Sequence, residues 1–204
     1  MLAAAAIGAV GVLLLVQTLS KSPTPPASTT PQYAPAQTPT PLIGGRYRDH
    51  GDGTVTDVQT GRQWMRCALG QIWQGGTCIG KAKEYSWQAA LDAANALNHQ
   101  GGYAGYRDWR VPTIEELLTL VYCSSGQPKT WNDTGKLCEG DYERPTIYQP
   151  AFPNTPMPIV GFFWSSSPSA PNAGVAWLVD FYYGSGHAFV KGNFGAVRLV
   201  RGEQ

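Results

Sequence analysis

Charge is scarce in this chain: only 14% of its 204 residues are charged, and the deficit is uneven. Ahead of Arg46 the sole charged side chain is Lys21, and Ser22 to Thr40 is dominated by Pro, Thr, Ala, Ser and Gln. Such a composition buries too little apolar surface to offset ordering entropy, so residues 21–45 are expected to form an extended stalk. In polyproline II form some twenty residues reach on the order of 60 Å. Past the stalk the balance is neutral. The chain holds 15 Lys and Arg against 14 Asp and Glu, and setting Lys21 aside leaves equal numbers. A neutral domain lacks the long-range positive field that non-specific nucleic-acid or polyanion binding requires, so no nucleic-acid partner is expected.

Catalytic signatures are missing too. There is no Gly-x-Ser-x-Gly elbow, phosphate loop or dinucleotide fingerprint. Ser165, Asp180 and His187 supply the side chains of a hydrolytic triad, but chance assembles such trios easily. Glu115 and Glu116 fall in the first turn of a helix, where the dipole explains them without catalysis. His50, His99 and His187 show no ligand spacing with one another, and no Cys pair has the two-residue gap of a zinc site. Asp49, Asp52 and Asp57 fail the alternating pattern of a calcium loop and fit a plain hairpin. The expectation is therefore a non-enzyme with no cofactor and no metal, calcium at the aspartate turn being the alternative to the plain hairpin.

What the chain does have begins with an apolar run, Leu2 to Val16. Leu2 to Leu19 is just long enough to cross a bilayer core of about 30 Å as a helix. No Lys or Arg precedes it, and the nearest small-x-small site is the weak Thr18-Leu19-Ser20, which favours an anchor over a cleaved signal. Lys21 alone would place the domain in the cytoplasm by the positive-inside rule, but cysteine usage outweighs one lysine. Cys67, Cys78, Cys123 and Cys138 are even in number and follow an export segment, so disulfides are expected. Of three connectivities, Cys67 with Cys78 and Cys123 with Cys138 is favoured, because each pair brackets a loop with little apolar content to hold it. The domain is thus placed outside the cytoplasm, anchored in the inner membrane facing the periplasm or exported to the surface.

Residues 46–204 suit one domain. Arg46 to Asp49, Thr54 to Asp57 and Arg62 to Arg66 read as an antiparallel meander. Ser86 opens a helix with Trp87, Ala90, Leu91, Ala94 and Leu97 on one face, ended by Gly101-Gly102. Thr113 and Glu116 form a capping box for a second helix carrying Ile114, Leu117, Leu118 and Val121 inward. Strands return at Phe162 to Ser165, Val175 to Tyr183, Ala188 to Lys191 and Ala196 to Arg201. Trp177, Val179 and Phe181 mark one richer face of the second of these.

These residues carry a resemblance. His50 to Asp57, Thr60-Gly61 before Trp64, Tyr103 to Pro112, Glu115-Glu116-Leu117, Trp164 to Ser167 and Val197 to Arg201 resemble, in order, the Lcl C-terminal-domain-like family. The resemblance implies an extracytoplasmic α+β domain of C-type-lectin-like type: two helices packed on short antiparallel sheets with long loops, here preceded by the apolar helix and stalk. It further implies that the first and last strands pair and that loops before the last strands present a binding surface. The adhesin domain that names the family is trimeric and binds sulfated glycosaminoglycans. This chain departs from it in having no collagen repeat and no net positive charge.

Exposed aromatics on loops and edge strands are the natural contact surface for sugars and peptides. The candidates are Trp131, Tyr148, Trp164, Tyr182, Tyr183 and Phe189, with Asp180, His187, Lys191 and Asn193 as polar partners. Trp64, Trp87, Trp109 and Trp177 hold periodic or motif positions and belong to the core. The expected function is a surface-displayed adhesion module for a glycan or protein partner. The alternative is a subunit of a filament or envelope complex, a homo-oligomer assembled through the small faces of the Leu2 to Leu19 helix at Ala3 to Ala6, Gly8, Ala9 and Gly11.

Overall fold

A computed structural model describes residues 41–131, 135–157, 161–170 and 172–202. The apolar segment Leu2 to Leu19 and the stalk to Thr40 lie outside the described residues. Among the described residues no helix is long and apolar enough to cross a membrane.

The expected α+β, C-type-lectin-like architecture is corrected by the element count. Eleven strands face two helices, of 13 and 5 residues, so the described chain is mostly β. In chain order they are β1 (Tyr47–Asp49), β2 (Thr54–Asp57), β3 (Gln63–Met65), β4 (Ile72–Gln74), β5 (Thr77–Ile79), α1 (Trp87–His99) and α2 (Ile114–Leu118). There follow β6 (Pro128–Trp131), β7 (Gly135–Cys138), β8 (Phe162–Pro168), β9 (Val175–Asp180), β10 (Ser185–Val190) and β11 (Val200–Arg201).

The expected meander forms the sheet β1-β2-β3-β11. The last strand enters it beside β3, pairing Val200 with Trp64, rather than beside the first strand as the resemblance implied. The three aspartates of this region are all engaged. Asp49 accepts from Arg66 at 2.8 Å, Asp52 from the Thr54 amide at 2.9 Å, and Asp57 from Arg46 at 3.0 and 2.7 Å.

The second sheet, β10-β9-β8, is antiparallel and separates two cores. Phe163, Val179 and Phe181 pack with Tyr47, Val55, Trp64, Ile114 and Leu117. Trp164, Ala176 and Leu178 pack with Ala90, Ala94, Trp109, Val197 and Leu199. Successive side chains of a strand point to opposite faces, so β8 and β9 bury both faces, one under each helix. The single richer face expected from the sequence is thereby corrected.

Both helices sit where the apolar spacing puts them. Ser86 occupies the N-cap of α1 without making a side-chain cap bond, whereas Thr113 and Glu116 form the full reciprocal box on α2. Gly102 closes α1 at φ 77°, where any Cβ would collide with the Tyr106 carbonyl. Its amide donates to the Leu97 carbonyl at 2.9 Å, a helix-terminating bond that needs a left-handed residue.

Glu116 does more than cap. It accepts from Arg62 at 2.6 Å and from Arg110 at 2.6 and 2.7 Å. Burial pushes its carboxyl up, but the bonds from Arg110, the Thr113 amide and Arg62 more than offset that and hold it down at about 2. A carboxyl lowered on folding contributes stability above its unfolded value near 4.5, and that contribution is lost as pH falls toward about 2. Thermal denaturation scanned across this window is expected to show an acid-sensitive component that Glu116→Gln flattens.

Two disulfides lock the domain as the loop contents foretold. Cys67–Cys78 closes the β4–β5 hairpin and Cys123–Cys138 the β6–β7 hairpin, with Cα–Cα distances of 5.4 and 5.2 Å. Replacing Cys67 and Cys78 together by Ala is expected to cost about 3 kcal/mol, read as a lowered urea midpoint.

Candidate functional site

The candidate site grows from the turn between β9 and β10. The sequence run Val175 to Tyr183 has strand character throughout, yet β9 stops at Asp180. The Asp180 carboxylate accepts from the Tyr182 amide at 2.7 Å and the Asp180 carbonyl accepts from the Gly184 amide at 2.8 Å, which folds the chain back. Burial pushes the Asp180 carboxyl up, against the amide of Tyr182 and the nearby His187, so it acts here as a buried turn former. Gly184 sits at φ 75° with its Cβ position 3.0 Å from Val121 and 3.1 Å from the Cys138 sulfur. Only glycine lets the turn approach the disulfide this closely.

That turn directs Tyr182 and Tyr183 outward, 36% and 47% exposed, stacked edge to face at 4.7 Å. The Tyr183 carbonyl accepts from the Cys138 amide at 3.2 Å, tying the turn to the β6–β7 hairpin. Arg144 lies 4.5 Å from the ring centres of both Tyr142 and Tyr182 and donates to the Tyr142 hydroxyl at 3.1 Å. The chain then runs inward at Thr146, whose amide donates to Phe181 and whose carbonyl accepts from the Tyr122 amide. Tyr122, 45% exposed, meets Tyr148 edge to face at 5.1 Å. Beside this pair opens a cleft of about 260 Å³, lined also by Ser124, Glu143, Ile147 and Gln149.

The residues picked from the sequence divide among several places. Tyr148, Tyr182 and Tyr183 join this face. Trp164 does not: it is fully buried and its indole donates to the Tyr85 carbonyl at 2.8 Å, so its contact role is corrected to a core role. Asp180 is likewise buried. His187 pairs with the Ser185 hydroxyl at 2.8 Å, while Ser165 donates to the Trp177 carbonyl at 2.6 Å, so the hydrolytic trio is not assembled. Phe189 packs on Phe162 at 5.1 Å and Lys191 lies 4.1 Å above Trp87. With exposed Asn193 they occupy the far end of β10, roughly 17 Å along a six-residue strand from the tyrosine turn. Trp131 faces Gly135 across the β6–β7 ladder.

Tyr122, Tyr142, Glu143 and Arg144 were missed by the sequence reading. Their signal was present: each lies within six residues of Cys123 or Cys138, and a closed disulfide fixes its neighbours in space.

Two disulfides on a mostly β scaffold with long loops define an extracellular type of domain. The family profile of the Lcl C-terminal domain matches residues 53–201, nearly the whole of the described chain, and this protein belongs to that family. No curated protein matches it.

Core and face differ in energetic consequence. Trp164→Ala is expected to cost about 3–5 kcal/mol in chemical denaturation, as for large cavities. Tyr183→Ala, at a solvent-facing turn, should stay within about 0.5 kcal/mol of the parent.

Proposed function

We propose that this chain is a surface-displayed adhesion module that binds a glycan through the tyrosine face beside its second disulfide. The observation carrying this reading is the gathering of Tyr122, Tyr142, Tyr148, Tyr182 and Tyr183 with Arg144 on loops pinned by Cys123–Cys138. Tyrosine presents a flat apolar face for a sugar ring and a hydroxyl for its polar rim, at small cost in side-chain entropy. Membership in the Lcl C-terminal domain family supports an extracellular setting for such contact. The role is recognition, not turnover. In this reading residues 1–20 attach the domain to the inner membrane or cell surface and residues 21–45 hold it clear. The filament alternative rests on Leu2 to Leu19, and nothing in the described domain favours it.

A glycan array probed with the full chain is expected to give discrete signals that fall about tenfold or more in a Tyr182→Ala, Tyr183→Ala double variant. Signals unchanged in that variant would place recognition elsewhere, and an array without signal beside capture of a protein ligand would replace the glycan.

A further inference from the structure

The cleft beside Tyr122 and Tyr148 has a polarity of its own. Glu143 lines it, and among the described residues no donor meets that carboxylate. The adjacent cation, Arg144, is turned to Tyr142 and Tyr182 instead. The only ionised group lining the cleft is therefore negative. An anionic ligand would meet a carboxylate there, whereas an ammonium group would meet both that carboxylate and the tyrosine rings beside it. Ser124 accepts from the Glu143 amide at 2.7 Å, which fixes the backbone that carries the acid.

We propose that this cleft is a subsite for a sugar ring bearing a free amine. Its ammonium group is held by Glu143 beside Tyr122 and Tyr148, whose rings take the apolar face of the sugar. The assignment names the glycan class for the function proposed above and rests on it. It also separates this protein from binders of sulfated glycans.

The test uses the full chain in detergent at mildly acidic pH, titrated calorimetrically with a chitosan tetramer, its fully N-acetylated counterpart, a heparin tetrasaccharide and tetramethylammonium. The free-amine tetramer is expected to bind at least tenfold more tightly than the N-acetylated one, with no heat from heparin. Glu143→Gln, an isosteric change at an exposed and unpaired side chain, should erase that preference while leaving near-ultraviolet circular dichroism unchanged. Equal or tighter binding of the N-acetylated sugar or of heparin overturns the subsite and leaves the glycan reading standing, as does a preference that survives Glu143→Gln. Tetramethylammonium binding as tightly as the amino sugar overturns the role given to the sugar ring. If none of the sugars binds a folded chain, and the array is also silent, the glycan reading falls and the subsite with it.

Discussion

Arg198 is the constraint on which the rest of the structure leans. Its guanidinium is fully buried and meets no carboxylate among the described residues. Instead it donates to the carbonyls of Met65 and Arg66 and to the Thr155 hydroxyl, with the rings of Phe152 and Phe163 at 4.8 and 5.7 Å. Burial brings its pKa down to about 9, a measure of how little solvent compensation remains. The reason for tolerating it lies in the backbone. Carbonyls at the end of β3 and in the loop after Ile147 need donors, because buried peptide groups cannot stay unpaired. Arg198 and Arg66 supply them, the latter to Pro150 and Ala151 at 2.8 Å each. Two side chains thus join β3, the approach to β11 and the loop that begins at the tyrosine cleft.

The same economy governs the other charges. Arg46 is committed to Asp57, Arg62 and Arg110 to Glu116, and Arg201 to Asp108. A domain this poor in charge spends much of it on its own architecture, so its neutrality is a property of the paired interior as well as of the sum. Glu143 and Arg144, beside the tyrosine cleft, are among the charges not consumed in this way. In the proposed reading recognition falls to aromatic rings, which need no net charge to make contact.

Much of the fold was legible in the sequence where local chemistry decides it. Thr113 and Glu116 specify the start of α2 by themselves, and the spacing of Ala90 and Ala94 fixes the buried stripe of α1. The disulfide pairing followed from which loops lacked a core of their own. What failed was set by distant partners. Trp164 stands in a run of Phe, Trp and Ser that fits an exposed face as well as a buried one, and only α1 packing beyond it decides for burial. The partner of β11 could not be read, because a two-residue strand carries no pattern. The turn at Tyr182 was hidden for another reason: aromatic residues continue the strand propensity of β9, and the element is ended by the Asp180 side chain, not by a Gly or Pro before it.

The second disulfide shows why the candidate site lies where it does. β6 and β7 form a sheet of only two strands, an arrangement marginal in water without further support. Cys123–Cys138 closes its base, and the Cys138 amide joins it to the tyrosine turn. The loops that carry Tyr122, Tyr142 and Tyr183 are therefore ordered by a covalent bond and by close backbone approach at Gly184, before any ligand arrives. Fixing a contact surface in advance removes the ordering cost that a flexible loop would incur on binding. A neutral surface without long-range attraction gains most from such preorganisation, since its affinity must come from short-range contacts made in one geometry. The sulfur bridge and the shortage of charge are thus two parts of one solution.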